Sequence, residues 1–154
     1  LNGNKWAFGR ASAVHRRRVE EVLLEVGAAG FAGKRLSRLS GGQRQRVAIA
    51  EALVAQPEML ILDEPLASLD LRNQREIVGL LGRLNQDLGM TILVVTHDLN
   101  PLVGMLSGAI YLLDGRVHYT TADQMVDEAL LSRLYGTRIE VARTPNGGAY
   151  MRSV

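Results

Sequence analysis

The sequence predicts an α/β fold in which a parallel sheet is flanked by helices, with a helical subdomain ahead of it. The runs MLIL at 59–62 and TILVVT at 91–96 are short and almost wholly apolar, the pattern of strands covered on both faces in a parallel sheet. Between them Ile77, Leu80, Leu81, Leu84 and Leu88 keep helical spacing over about residues 71–88. Strand, helix and strand in that order make a βαβ crossover.

The flanking elements follow from spacing and punctuation. Val19, Val22, Leu23 and Val26 fall at i, i+3, i+4 and i+7, so residues 12–27 read as an amphipathic helix stopped by Gly27. A Gly/Ala loop follows, and then a second helix over about 42–55, with Val47, Ala50 and Val54 on one face and QPE ending it. After His97, DLNPLVGML reads as a short helix started by Asp98. GAIYLL and RVHYTT around Asp114-Gly115 form a hairpin with a favoured two-residue turn. Residues 122–135 read as helical, and RIEVAR with AYMRSV around NGG forms a terminal hairpin. The organisation expected is a helical part at 1–56, a sheet-bearing part at 57–121, and a terminal helix and hairpin at 122–154.

At 154 residues and 47% apolar, the chain suits one domain or a piece of one, and its start at Leu1 suggests upstream residues are missing. Eighteen basic against sixteen acidic residues leave a net charge of +2, scattered except for HRRR at 15–18, which argues against a nucleic-acid partner. Without cysteine there is no disulfide, thiolate metal site or thiol nucleophile. The apolar runs fall far short of the roughly 20 residues that span a bilayer, so a soluble or membrane-peripheral chain is expected.

Four short segments carry the chemistry. In LSGGQRQR, Ser40 and Gln43 have capping-box spacing, while a helix start with small residues also suits an anion. In LILDEP, Asp63 and Glu64 end a buried strand, where one acid can hold hydrated magnesium and the next can orient water. Pro65 biases Glu64 towards an extended backbone. In SLD, Asp70 is a good N-cap, and that alone explains it. His97 ends the second strand and would share a rim with Glu64 if the strands are neighbours; as a lone histidine it also reads as a surface residue. His15 and His118 read as structural, and no His and carboxylate spacing suggests a dedicated metal site.

GAAGFAGKR, residues 27–35, imitates a phosphate loop but fails the G-x-x-x-x-G-K-S/T pattern: Ala28 stands where the first glycine belongs, and Arg35 where the magnesium hydroxyl belongs. It reads as a linker between helices, with Lys34 in solvent.

Taken together, LSGGQRQR resembles the signature motif of ABC-type ATPases, LILDEP their Walker B strand, SLD their D-loop and TH their switch histidine, in the family's order. The resemblance implies an incomplete P-loop NTPase core binding ATP and Mg2+. Asp63 would support Mg2+ through water, Glu64 would be the general base, and His97 would contact the γ-phosphate. Ser68 and Asp70 would communicate across a nucleotide-sandwiched dimer, and Ser40, Gly41, Gly42 and Gln43 would approach ATP held by the opposite subunit. Walker A, the adenine-stacking aromatic and the glutamine loop have no match, so an N-terminally incomplete domain, inactive alone, is expected.

THDLNPL at 96–102 and LLSRLYGTRIEV at 130–141 are similar to ATP-binding subunits of bacterial zinc or manganese importers, and iron-siderophore importers share parts of both. The implied partners are a second ATP-binding subunit, a polytopic membrane permease and an extracytoplasmic metal-binding protein, with the chain peripheral at the cytoplasmic face of the membrane. Three rivals share motifs: a DNA-repair or chromosome-structure ATPase head, which would need a long heptad insertion; a soluble translation-associated ABC protein; and a non-catalytic module that completes a partner's site.

Overall fold

The computed structural model describes residues 13–143 and 149–154. Two compact units divide at Val95 and Thr96. In the first, α1 (Ala13–Glu25) ends where Gly27 turns left-handed at φ +68°. There Ala28 N–H donates to the Leu23 carbonyl and Gly27 N–H to that of Leu24, a Schellman closure. Val22 and Val26 are fully buried, but Val19 is 40% exposed: it lies a turn nearer the helix start, outside the buried stripe.

α2 (Gly41–Val54) buries Gly42, Ile49, Ala50 and Leu53. Its apolar face is therefore rotated from the expected one, and Val54 is exposed. Alanines at 48, 50 and 52 leave the pattern ambiguous, and packing chose the face carrying the larger Ile49 and Leu53. The parallel pair β1 (Met59–Asp63) and β2 (Thr91–Val95), joined by α3 (Leu71–Leu88), realises the βαβ unit, with Asp63 in register with Val95. Ile77, Leu80, Leu81 and Leu84 are buried in α3, whereas Leu88, its last residue, is exposed. Among the described residues one face of the pair is covered and the other is open: Leu60 is buried, whereas Met59, Ile61, Leu93 and Val95, which strand alternation sends to the opposite face, are exposed.

In the second unit, β3 (Gly108–Leu113) and β4 (Arg116–Thr121) are antiparallel, with Leu113 opposite Arg116. Positive φ at both Asp114 and Gly115 makes the expected two-residue turn of the type I′ kind. The expected helix over 122–135 is instead a short 3-10 turn, Gln124–Val126, then α4 (Glu128–Tyr135). Asp127 separates them because its carboxylate accepts the Leu130 N–H and so starts a helix. β5 (Ile139–Arg143) and β6 (Ala149–Ser153) form the terminal hairpin; the NGG turn lies outside the described residues. Leu131, Ile139 and Met151 make this unit's core, with Leu99, Val103, Tyr111 and Val141 against it.

No helix forms from Asp98: the segment makes successive turns, with Leu102 and Val103 N–H both donating to the Leu99 carbonyl. Pro101 has no N–H to give, and the Asp98 carboxylate takes the Asn100 N–H 3.0 Å away. Among the described residues no helix is long and apolar enough to cross a membrane.

Candidate functional site

Helix α2 starts on a complete capping box. Gln43 N–H donates to Ser40 Oγ at 3.3 Å, and Ser40 N–H donates to Gln43 Oε1 at 3.1 Å. The Gly41 and Gly42 amides, at the first two helical positions, have no acceptor within the helix. Ser40 is exposed and Gly41 half-buried, but Gly42 is buried. Within this unit Gly42 is packed against α3: a Cβ there would overlap Asn73 Oδ1 and lie 2.8 Å from Asn73 Cγ.

Asn73 belongs to the first turn of α3, which Asp70 caps. Asp70 Oδ1 accepts the Asn73 N–H at 2.8 Å, and Asp70 Oδ2 accepts Asn73 Nδ2–H at 2.7 Å. These bonds hold the Asp70 carboxyl below its ordinary range. One turn on, Arg46 joins α2 to α3 and to the turn that closes α1: it donates to the Val26 carbonyl at 2.7 Å and to Glu76 Oε2 at 2.9 Å. Arg72 binds the other Glu76 oxygen at 3.1 Å. The bonds from Arg46 and Arg72 hold Glu76 below the usual carboxylate range.

Asp63 ends β1 exposed, and Glu64 follows half-buried. Glu64 is not extended: its φ is +44°. Its N–H continues the parallel ladder to the Val95 carbonyl at 2.8 Å, and its carbonyl accepts the Ala67 N–H at 3.1 Å. A ladder bond on one side and a tight turn on the other outweigh the proline preference; such left-handed non-glycine residues cluster at functional sites. Ser68 is likewise left-handed at φ +60° and exposed. Lys34 is exposed in the linker between α1 and α2, as the failed phosphate-loop pattern implies.

His97 lies in the second unit, exposed, on a cleft of about 240 Å³ shared with Asp98, Asn100, Tyr135 and Arg152. Burial, and then the Asp98 charge, push the Tyr135 hydroxyl up from its ordinary pKa. Register places Asp63 beside Val95, two residues before His97 in the chain. Among the described residues no group of three or more His, Cys, Asp or Glu could hold a metal ion.

A profile of the ABC transporter family matches residues 3–67. The chain is 39% identical over 130 residues to the phosphonates import ATP-binding protein PhnC 2 of Pseudomonas aeruginosa, covering 84% of this chain and 47% of that protein. It is 42% identical over 139 residues to the iron(3+)-hydroxamate import ATP-binding protein FhuC of Bacillus subtilis, covering 90% and 52%. The chain belongs to the ABC ATPase family. Its fold superposes on an inward-facing ABC transporter assigned to the metal-chelate type, with a TM-score of 0.84, 25% identity, and coverage of 96% of this chain and 59% of that one. A dimeric ATP-binding cassette bound to ADP and Pi matches with a TM-score of 0.62 and 38% identity, covering 75% and 50%. This ABC ATPase segment thus spans about half the length of the curated relatives it matches.

Sequence reasoning missed Arg46, Asn73 and Asn100 as organising residues of this ABC ATPase segment. All three are polar residues inside helix or turn patterns, and only their long-range partners distinguish them. The family motifs contained Arg46 but gave it no task.

Proposed function

We propose that this chain is the C-terminal part of the ATP-binding subunit of an ABC importer, contributing half of an ATP site to a dimer. The observation that carries the reading is that one unit presents an open helix start at Ser40 and Gly41, a strand-end carboxylate pair at Asp63 and Glu64, and an exposed left-handed Ser68. In this reading residues 1–56 are the signature-bearing helical part, 57–121 belong to the catalytic core and 122–154 are its tail.

The residues present fit a nucleotide and Mg2+. The unsatisfied amides at the start of α2, together with the helix dipole, suit a phosphate oxygen. Ser40 Oγ and the Gln43 side chain serve first as the cap, so the Gly41 amide is the group best placed to donate. Asp63, an exposed carboxylate, would hold Mg2+ through water, and Mg2+ would supply charge neutralisation on the phosphates. Glu64 orients the attacking water and takes its proton, and His97 donates to the γ-phosphate. Ser68 and Asp70 carry the state of the site to the other subunit. A second ATP-binding subunit, a membrane permease and an extracytoplasmic binding protein complete the system, with this subunit peripheral at the cytoplasmic face.

For cargo, a relative matched over 90% of the chain is named for iron(3+)-hydroxamate import, and a structure that superposes over 96% of the chain is of metal-chelate type. Both support a chelated metal, and the first supports iron, over the free zinc or manganese suggested by THDLNPL and LLSRLYGTRIEV. The phosphonates relative supports a second reading, an oxyanionic cargo.

The test is to mix the purified chain with an ABC cassette whose Walker A is intact and whose signature motif is disabled. Restored Mg2+-dependent ATP hydrolysis supports the half-site. Robust turnover by the 154-residue chain alone, or no turnover in the mixture, defeats it. Cargo is assigned by which labelled compound, ferric hydroxamate, zinc, manganese or phosphonate, loses uptake when the gene is disrupted.

A further inference from the structure

We infer that Asn73 is a positioning residue that locks the signature loop to the D-loop, so that both present one pre-set edge to a nucleotide held by the other subunit. The inference rests on the half-site reading above. Its basis is that the two features, far apart in sequence, are packed together by one pinned carboxamide.

Asn73 gives both its backbone N–H and its Nδ2–H to Asp70, at 2.8 and 2.7 Å. Two bonds to one carboxylate remove the freedom an asparagine side chain ordinarily has. The opposite end of the amide, Oδ1, then lies against Gly42, and even Asn73 Cβ is only 3.2 Å from where a Cβ on residue 42 would sit. A free side chain could swing aside for such a Cβ; this one would have to release Asp70. Gly41 faces the same region, with Leu69 Cδ2 3.1 Å from its own missing Cβ. One turn further along both helices, the Arg46 to Glu76 ion pair at 2.9 Å repeats the tie.

The two helices therefore meet at paired positions, 42 with 73 and 46 with 76, and their starts cannot shift independently. The glycine at 42, which the motif suggests is small to admit a phosphate, is small to admit Asn73. Displacing the amide releases the tie at the two helix starts, leaving the Arg46 to Glu76 pair one turn on and Ser40, Gly41 and Asp63 chemically intact.

The mixing assay described above supplies the test, run well below the melting temperature of every variant. Asn73→Ala is expected to lower kcat of the restored ATPase at least tenfold with the KM for ATP within twofold, since Walker A of the other subunit holds the nucleotide. Asn73→Asp sets a carboxylate against Asp70. Its turnover relative to wild type should be low at pH 8 and recover on acidification, as one of the pair takes up a proton and can donate. Because the assay runs well below every melting temperature, a merely structural role would leave kcat independent of the protonation of this pair. Gly42→Ala should lower Tm, and Gly42→Ala with Asn73→Ala should regain at least half of that loss while kcat stays low.

Asn73→Ala turnover within twofold of wild type, or additive Tm losses, would overturn the lock. If the wild-type chain restores no turnover, the half-site reading fails, and the lock is judged on Tm coupling alone: non-additive losses support it and additive losses overturn it.

Discussion

The Asn100 carboxamide forms two hydrogen bonds with the backbone of Met151: Nδ2–H donates to the carbonyl at 3.1 Å, and Oδ1 accepts the N–H at 2.7 Å. A side chain three residues after His97 thereby takes the place of a neighbouring strand on β6, and fixes the post-histidine loop on the terminal hairpin. This explains why the segment turns rather than forming a helix.

Removing that tie tests it. Asn100→Ala should destabilise the second unit by about 1–3 kcal/mol, two hydrogen bonds at roughly 0.5–1.5 kcal/mol each. Amide hydrogen exchange at Met151 should accelerate, while exchange within α3 stays unchanged. Unaltered protection at Met151 would show that the pairing contributes nothing in solution.

The capping box predicts that Ser40→Ala costs about 1 kcal/mol, whereas Ser40→Asp, which keeps an acceptor at the N-cap, costs much less. Thermal melting distinguishes them. Equal melting temperatures for the two variants would mean that Ser40 does not cap α2.

Glu76 links Arg46 and Arg72, and both hold its carboxyl below the usual carboxylate range. A depressed folded-state pKa contributes stability that is present above the unfolded value and lost as pH falls through the folded one. The stability difference between wild type and Glu76→Gln should therefore be constant from about pH 6 upward and shrink as the solution is acidified below about pH 4. A difference independent of pH from 7 down to 3 would refute an ionic role.

The Tyr111 hydroxyl is buried without a hydrogen-bond partner among the described residues, and burial raises its pKa. Leaving such a group unpaired costs roughly 1–3 kcal/mol, so Tyr111→Phe should be neutral or stabilising by about 1 kcal/mol. A loss of more than about 1 kcal/mol on chemical denaturation would reveal a partner that the hydroxyl needs.

The elements read most directly from sequence are those whose causes are local. The Asp114-Gly115 turn, the Ser40 to Gln43 box and the Asp70 cap each depend on side chains within three residues of the backbone they serve. Elements were misread where a distant contact competed. Alanine-rich α2 offered two possible faces, and the Asp98 segment offered a helix that Asn100 forgoes by bonding to residue 151.

The sequence by itself determined the βαβ unit, the helix caps, and the order of motifs that marks the family, because periodicity and capping act over a few residues. Only the tertiary structure decided that Gly42 is packed against Asn73, that Arg46 ties α2 to α3 and to the turn closing α1, and that Glu64 is left-handed rather than extended. Each depends on groups brought together from separate elements, and packing and ladder hydrogen bonds then outweigh the preferences of the local chain.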